Sequence, residues 1–318
     1  MKKAFIKKII SNQYTIVDVE NQDEFIAQAR GKLRYVKLDQ DDDFNKQTTR
    51  KTKKETKIIQ ISPKIGDKVL YAFDHDQVFI EEILSRNNEL ERPDVANVDQ
   101  VLLVFSAIRP DFSFYLLDKF LVILEQEKLN PVIVISKIDL VDDTLLESIK
   151  KDMVYYENMG YEVYYINSKQ KIGFDVLEHI FTDKITVLAG QTGVGKSTLL
   201  NALMPELGLK TQEISDALGR GKHTTRHSEL YKFNEGYIAD TPGFSKIDFK
   251  IYYEDELKEF YPDFIALSPS CKFGNQCNHI HEPKCAIKEA FEQGHILKSR
   301  YENYLQFIEE IKNQKVKY

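Results

Sequence analysis

One octapeptide restricts the fold of this chain more than any other stretch. Residues 190–197 read GQTGVGKS and match the pattern G-x-x-x-x-G-K-[ST]. The apolar run ITVLA (185–189) precedes them, and the helix-forming run STLLNAL (197–203) follows. Such a loop holds phosphate groups only between a strand and a helix, because the loop amides and the helix N-terminus must converge on the anion. This stretch therefore predicts an α/β domain with a phosphate-binding loop.

The loop and a second motif downstream predict how a nucleoside triphosphate is held. Lys196 is expected to reach the β- and γ-phosphates, and the Ser197 hydroxyl to bind Mg²⁺. The apolar strand that starts at Tyr237 ends in DTPG, where Asp240 suits the outer shell of the same Mg²⁺ and the Gly243 amide can sense a γ-phosphate. The loop residues expected to bind nucleotide are Gly190, Gln191, Thr192, Gly193, Val194, Gly195, Lys196, Ser197 and Thr198.

A third motif predicts which base is bound. Ser136, Lys137 and Asp139 belong to SKID, which follows the strand PVIVI and resembles the N/T-K-x-D element of GTPases. A carboxylate at the Asp139 position accepts hydrogen bonds from N1–H and N2–H₂ of guanine, whereas adenine would present a lone pair to it. Ser168, in the stretch NSK after the strand 161–166, resembles the loop that closes over guanine. The expected ligands are GTP and GDP.

The order of these motifs is unusual, because the guanine motif precedes the phosphate-binding loop instead of following it. This order, a circular permutation, resembles that of the circularly permuted GTPases. Within them the chain from residue 86 onward closely resembles the ribosome small-subunit-dependent GTPases. The stretches that carry the resemblance are RNNELERPDVANVDQ (86–100), SKID (136–139), GQTGVGKSTLLN (190–201), GRGKHTTRH (219–227), DTPGF (240–244) and the Cys/His segment 271–285.

The resemblance implies two catalytic residues within GRGKHTTRH. Thr225 would be the Mg²⁺-binding switch threonine, and His223 would position the attacking water once a partner orders the loop. Many GTPases orient that water with a glutamine where this chain has Phe244, so unstimulated hydrolysis is expected to be slow. Ser136 stands where asparagine is usual, and its hydroxyl can supply only part of that side chain's contacts.

The three cysteines of the chain lie close together and predict a metal site. Cys271, Cys277, His279 and Cys285 offer three thiolates and an imidazole, which suits one structural Zn²⁺ in tetrahedral coordination. His281 is a competing fourth ligand by spacing. Clustered cysteines without a recognisable signal peptide indicate metal binding in a reducing cytoplasm. Members of the family usually have one residue fewer between the first two cysteines.

The N-terminal region has a different texture from the rest of the chain. Short strand-like runs at 14–19, 24–29, 33–37, 57–61, 68–71 and 78–84 predict a small β-barrel, which the resemblance implies is an OB-fold. The stretch 39–57 is highly charged and nearly free of apolar residues, and we expect a mobile loop. The predicted domains are 1–85, the OB-fold; 86–250, the circularly permuted α/β P-loop GTPase domain; and 251–318, a mostly helical zinc-binding domain.

Charge is distributed unevenly. The whole chain has a net charge of −6, but residues 1–70 carry 16 Lys and Arg against 10 Asp and Glu. This asymmetry is consistent with an N-terminal surface that faces RNA, through Arg30, Lys32, Arg34 and the 46–57 loop, or with an ordinary solvated surface. The helix 299–312 and the tail lysines Lys312, Lys315 and Lys317 are further candidates for RNA contacts.

Composition narrows the class of protein. Hydrophobic residues make up 42% of the chain and charged residues 30%, as in a soluble globular protein. No apolar run approaches the roughly 18–20 residues that cross a bilayer. The start, MKKAFIKKII, is basic, but Lys7 and Lys8 interrupt its apolar stretch and no cleavage site follows. We expect a cytoplasmic protein that does not bind membranes and is monomeric.

The resemblance implies that the chain is a GTP hydrolase that binds the small (30S) ribosomal subunit and its 16S rRNA. It would act late in assembly of that subunit, with hydrolysis stimulated by it. Two other classes of protein stay open. A metabolic NTPase or kinase would use ATP and ignore RNA, which Asp139 disfavours. A nucleotide-gated RNA-binding scaffold would barely hydrolyse, which Phe244 makes conceivable.

Overall fold

The structure, a computed structural model, describes residues 1–30, 36–37, 58–59, 62–90, 94–208, 229–244, 251 and 253–314. The chain divides into two compact units. The first comprises residues 1–98, 222–232 and 238–241, and the second comprises residues 99–221, 233–237 and 242–318. Within the described ranges, no helix has both the length and the apolar composition needed to cross a membrane.

The first unit is built on a closed β-barrel. Its strands up to residue 83 are β1 (Lys2–Ile10), β2 (Gln13–Asp18), β3 (Glu24–Ala29), β4 (Val36–Lys37), β5 (Ile58–Ile59), β6 (Lys68–Asp74) and β7 (Gln77–Ile83). The barrel order is β1-β2-β3-β7-β6, and β6 pairs back with β1 to close it. The β3–β7 pair is parallel and the other pairs are antiparallel; this five-stranded barrel agrees with the expected OB-fold.

The barrel core follows from alternation of side chains along the strands. Ala4 and Ile6 of β1, Ile16 of β2, Val69 of β6 and Ile80 of β7 are at most 1% exposed. Successive side chains of a strand point to opposite faces, so these positions fill the interior. Strand β1 is not among the strands predicted from the sequence, because its lysines suggest only a basic N-terminus. The period-2 placement of its apolar residues is the signal that identifies it.

The segment after the barrel is held to it by an ion pair whose carboxylate, on Asp67, is buried. The Arg86 guanidinium donates from Nε to Asp67 Oδ1 over 2.7 Å and from one terminal nitrogen to Oδ2 over 2.9 Å. Asn97 Nδ2 donates to the Gly66 carbonyl over 3.0 Å. A Cβ on Gly66 would lie 2.1 Å from the Ala96 carbonyl oxygen, so only glycine permits this approach. These contacts fix the short hairpin of β8 (Glu89–Leu90) and β9 (Val95–Ala96).

The second unit contains the expected parallel sheet. Its strands are β10 (Gln100–Ser106), β11 (Asn130–Ser136), β12 (Glu162–Tyr165) and β13 (Ile185–Ala189). They lie in the order β12-β11-β10-β13, and each neighbouring pair is parallel. Every described residue of β10 is buried, as expected for a strand covered on both faces. The hairpin of β14 (Glu229–Phe233) and β15 (Gly236–Phe244) is divided between the two units.

Helices connect these parallel strands. They are α1 (Phe114–Gln126), α2 (Asp143–Asn158), α3 (Phe174–Leu177) and α4 (Lys196–Leu203), with short 3-10 turns at Ile138–Leu140, Glu178–Phe181 and Pro205–Leu207. Ser113 caps the N-terminus of α1, because its hydroxyl accepts the Leu116 amide, and Asp142 caps α2, because its carboxylate accepts the Leu145 amide.

Since the four strands are parallel, their carboxyl ends and the loops that follow them lie at the same edge of the sheet.

The C-terminal part of the second unit is helical, as predicted. It contains the 3-10 helix Glu254–Phe260, α5 (Pro262–Leu267), 3-10 turns at Ser268–Ser270 and Gly274–Gln276, α6 (Ala286–Glu292) and α7 (Lys298–Asn313). Its core packs on α1 through Val122 and Ile123. The buried aromatic members of that core are Tyr261, Phe264, Tyr301, Tyr304 and Phe307.

A buried polar cluster, the Arg300 cluster, joins the helical part to α1. The Arg300 guanidinium is 0% exposed and bonds to Asp118 Oδ1 of α1 over 2.8 Å and to Asp263 Oδ1 of α5 over 3.0 Å. Asn303 Nδ2 and the Tyr156 hydroxyl also donate to the Asp118 carboxylate, over 2.6 and 2.8 Å. Each buried charge is thus paired and hydrogen-bonded, the condition under which buried ions are tolerated.

Candidate functional site

The predicted phosphate-binding loop lies between β13 and α4. Gly190 has a φ of +130°, and a Cβ there would lie 2.1 Å from the Val104 carbonyl oxygen of β10. Gly195, with a φ of +100°, immediately precedes the first residue of α4. Both positions require glycine, and together they bring the loop to the N-terminus of α4. Helix N-termini carry partial positive charge, so this arrangement suits an anion.

Lys196 occupies the first turn of α4. Its Nζ donates to the carbonyl oxygens of Gly190 and Gln191 over 2.6 and 2.7 Å. Burial lowers the pKa of Lys196 to about 8. Phosphate oxygens would offer anionic acceptors in place of these neutral carbonyls and would raise that pKa again.

Two residues of the SKID segment form hydrogen bonds with backbone carbonyls of the phosphate-binding loop. The Ser136 hydroxyl lies 2.5 Å from the Val194 carbonyl and 3.0 Å from the Phe105 carbonyl. A hydroxyl carries one proton, so it can donate to only one of them at a time. Lys137 Nζ donates to the Gly193 carbonyl over 2.6 Å and also to the Arg109 carbonyl. Burial lowers the pKa of Lys137, and Arg109 and Lys169 lower it further.

A small cleft of about 120 Å³ is lined by the SKID segment, the loop 167–169 and the start of α4. It brings together six residues that the sequence predicted to bind nucleotide, namely Ser136, Lys137, Asp139, Ser168, Gly195 and Thr198. Asp139 lies in the 3-10 turn Ile138–Leu140, which directly follows Lys137. The cleft also contains three residues absent from the predicted set, Leu140, Asn167 and Lys169.

Asn167 shapes the loop that carries Ser168. Its side chain is 1% exposed, and its Oδ1 accepts the amides of Lys169 and Gln170 over 3.0 and 3.2 Å. Its backbone pairs with Ile172 in both directions. Asparagine closes such turns with its own side chain. An Asn directly after a strand and before Ser-Lys is the sequence signal for this role.

Several residues predicted from the sequence lie outside the described residues, or only their backbone is described. His223 and Thr225 lie outside the described residues, and so do Lys32, Arg34 and the charged loop 39–57. Asp240 and Gly243 lie in β15, which runs to Phe244 instead of ending at DTPG; the structure describes only their backbone.

The four predicted metal ligands come together in the helical part. The ligand atoms of Cys271, Cys277, His279 and Cys285 lie within 4.8 Å of one another, and all four residues are buried. His279 Nδ1 is 3.7 Å from Cys271 Sγ and 3.4 Å from Cys285 Sγ, and those sulfurs are 4.0 Å apart. Tetrahedral zinc with bonds of about 2.3 Å separates its ligand atoms by about 3.8 Å, so the cluster fits that ion. His281, the alternative ligand, is exposed.

The surroundings of this cluster also fit a metal. Ser268 Oγ lies 3.2 Å from His279 Nε2, which leaves Nδ1 facing the sulfurs. Burial lowers the pKa of His279 to about 4, so the imidazole is neutral near pH 7, and burial raises the pKa of the Cys277 thiol to about 12. The buried Lys258 Nζ donates to the Asn275 and Cys277 carbonyls over 2.5 and 3.2 Å. Its charge offsets the net charge of −1 that Zn²⁺ and three thiolates would carry.

Comparison with known proteins gives the family. The RsgA GTPase family model matches residues 83–250. A relative from Onion yellows phytoplasma (strain OY-M), named small ribosomal subunit biogenesis GTPase RsgA, is 52% identical over 314 residues, with 99% of each chain covered. The chain belongs to the RsgA GTPase family. A Bacillus subtilis (strain 168) protein of the same name is 47% identical over 321 residues, covering 100% of both chains.

Solved structures of similar proteins agree with the family. YloQ, described as a circularly permuted GTPase, matches with a TM-score of 0.78 and 38% identity over 100% of this chain and 97% of its own. YjeQ from Thermotoga maritima matches with a TM-score of 0.79 and 34% identity over 99% of each chain. The predicted fold and enzyme class are confirmed: this RsgA-family chain is a circularly permuted GTPase with an N-terminal barrel and a C-terminal helical region whose cluster could hold one zinc ion.

One residue of this RsgA-family chain that is predicted to contact RNA, Arg30, already forms ion pairs with carboxylates of the chain. Arg30, at the end of β3, forms ion pairs with Asp74 over 3.1 Å and Glu81 over 2.7 Å, and its guanidinium lies 4.8 Å from the centre of the Phe79 ring. An RNA phosphate would have to compete with two carboxylates for it. Arg30 is therefore a weaker candidate for phosphate binding than its sequence position indicates.

Proposed function

We propose that this chain hydrolyses GTP to act in biogenesis of the small ribosomal subunit, the role named for its RsgA-family relatives. It binds that subunit and its 16S rRNA, and the subunit stimulates hydrolysis. One observation carries the nucleotide part of the proposal. Lys137 and Ser136 tie the segment that holds Asp139 to the phosphate-binding loop, so a base read by Asp139 and phosphates held at 190–197 belong to one ligand.

In the proposed mechanism, the loop amides and Lys196 bind the β- and γ-phosphates, and Asp139 selects guanine. Ser197 and Thr225 would bind Mg²⁺, which neutralises charge on the phosphates when present. His223 positions the attacking water, because Phe244 has no hydrogen-bonding group for that task. Hydrolysis is therefore slow until the subunit acts on the segment 219–227, which carries His223 and Thr225.

The parts of the chain outside the GTPase domain bind RNA. We propose domains 1–85, 86–250 and 251–318, of which the first and third bind the small subunit. One structural Zn²⁺ on Cys271, Cys277, His279 and Cys285 holds the third domain together. The protein works as a cytoplasmic monomer and cycles between GTP and GDP.

The test is GTP turnover by the purified full chain, alone and with small subunits, large subunits or free rRNA, with ATP as the nucleotide control. We expect small subunits alone to raise turnover by orders of magnitude. His223→Ala should abolish the stimulation, and His227→Ala, in the same segment, should retain it. High turnover without ribosomes would indicate a metabolic NTPase. Tight GTP-dependent subunit binding without turnover would indicate a scaffold.

A further inference from the structure

An exposed aromatic ring lies within the candidate metal loop. Phe273 is 43% exposed, although it lies between Cys271 and Cys277, which are buried. It is absent from the group of side chains that forms or packs against the C-terminal core, whereas Phe264, Tyr301 and Tyr304 belong to that core. Burial in this core therefore does not account for an aromatic residue at position 273.

The backbone holds this ring in a fixed place. The Gly274 amide donates to the Cys271 carbonyl over 2.9 Å, the Gln276 amide to the Phe273 carbonyl over 3.0 Å, and the Cys277 amide to the Gly274 carbonyl over 3.1 Å. Both ends of the turn are candidate metal ligands. A ring presented on such a tight turn loses little conformational freedom when a ligand binds to it.

Two exposed lysines lie in the same loop as the ring. Lys272 Nζ lies 5.3 Å from the centre of the Phe273 ring, and the Lys272 amide donates to the Lys284 carbonyl over 3.1 Å, so the backbones of the two lysines are adjacent. Among the described residues, neither lysine has an ion-pair partner within 4.0 Å. The carboxylate of Glu282, in the same loop, accepts the amides of Asn278 and Ile280 over 2.8 and 2.9 Å.

We propose that Phe273, Lys272 and Lys284 form a stacking site for one unpaired RNA base, with the adjacent phosphates bound by the two lysines. An aromatic face flanked by unpaired cations is the chemistry with which proteins hold single-stranded nucleic acid. A base within a duplex is stacked on both sides and cannot reach the ring. This inference rests on the proposed function, since it assigns one RNA contact of the third domain.

A tryptophan reporter tests the site directly, because the chain has no tryptophan. In the full-length Phe273→Trp protein, the single indole should lose fluorescence when a ten-residue oligoadenylate RNA is added. The same RNA annealed to oligouridylate should quench it much less. Tyr253→Trp, at a residue that is 68% exposed outside the metal loop, is the matched control and should not respond. Equal quenching by single-stranded and duplex RNA, or no quenching, would overturn the stacking site.

Affinity supplies the second readout. Phe273→Ala should weaken oligoadenylate binding by about 5- to 150-fold, the factor that corresponds to about 1–3 kcal/mol per stacked base. Equal zinc content per chain in variant and wild type shows that the loop has kept its fold. An unchanged affinity at equal zinc content would contradict the proposal.

Small-subunit binding separates this inference from the proposed function. If the wild-type chain does not bind small subunits, the proposed function fails, and the oligoadenylate assays still decide the stacking site. If wild type and Phe273→Ala bind subunits equally and oligoadenylate quenches nothing, the stacking site is wrong and the function stands. If Phe273→Ala loses subunit affinity but oligoadenylate leaves Phe273→Trp unquenched, the loop contacts a ribosomal protein and the RNA site is overturned.

Discussion

Replacing the buried Arg300 with methionine tests how the helical part is held on α1. Methionine replaces the aliphatic stem of the side chain but leaves Asp118, 0% exposed, and Asp263, 8% exposed, without their cation. Removing one partner of a buried ion pair costs about 3–5 kcal/mol. Asp118 retains the Asn303 amide and Asp263 retains the Tyr155 hydroxyl, so we expect the lower value, about 3 kcal/mol.

Urea unfolding of the zinc-loaded protein measures this loss. With a slope of about 2–3 kcal/mol/M, the transition that reports the second unit should move down by about 1 M. Lys298→Met is the matched control, since it lies on the same helix at a residue whose side chain is 79% exposed and should cost under about 0.5 kcal/mol. Adding Asp118→Asn to Arg300→Met should recover at least about 1 kcal/mol. An Arg300→Met transition within 0.3 M of wild type would refute the reasoning.

Three further predictions concern the nucleotide and metal sites. Binding of GDP should take up a proton above pH 8, because phosphates raise the lowered pKa of Lys196. The affinity for GDP at pH 9 should therefore be about one-tenth of that at pH 7. Calorimetry in two buffers should show the proton uptake. Ser136→Ala leaves the Val194 carbonyl unpaired and should weaken GDP binding about fivefold in titration calorimetry, with the preference for GDP over ADP unchanged. Lys258→Met removes the buried charge beside the cysteines and should lower zinc affinity about 10- to 100-fold in chelator competition, whereas Lys298→Met should not.

Local sequence predicted the loops of the nucleotide site because their chemistry is local. A glycine-rich loop between a strand and a helix has few alternative conformations, and SKID follows its strand directly. The barrel strands were predicted from short alternating runs, with β1 as the exception. In β1, Lys2, Lys3, Lys7 and Lys8 hid the alternation, although Lys7 and Lys8 form ion pairs with Glu24 and Glu229.

Long-range polar contacts carried no such signal. Arg300 and Asp118 are 182 residues apart in sequence, and Arg86 and Asp67 are 19 apart. A charged residue ordinarily predicts a solvated position, so neither pair could be inferred from its surroundings in the sequence. Lys258 is a similar case, because two of its three partners are backbone carbonyls, which every residue has, and the third is the Asn278 side chain.

Helix α1 and the loop before it connect the C-terminal helical region to the SKID segment. Two residues of the helix contact the C-terminal helical region: Asp118 belongs to the Arg300 cluster, and Lys119 pairs with Glu310 of α7 over 3.0 Å. The loop before the helix is anchored by the Ser106 hydroxyl, which donates to the Pro110 carbonyl over 2.7 Å, and it presents the Arg109 carbonyl to Lys137. Lys137 in turn holds Gly193 of the phosphate-binding loop. Because α1 and the loop before it lie between β10 and SKID in the permuted chain, this one segment contacts both the C-terminal helical region and Lys137 of the proposed guanine motif.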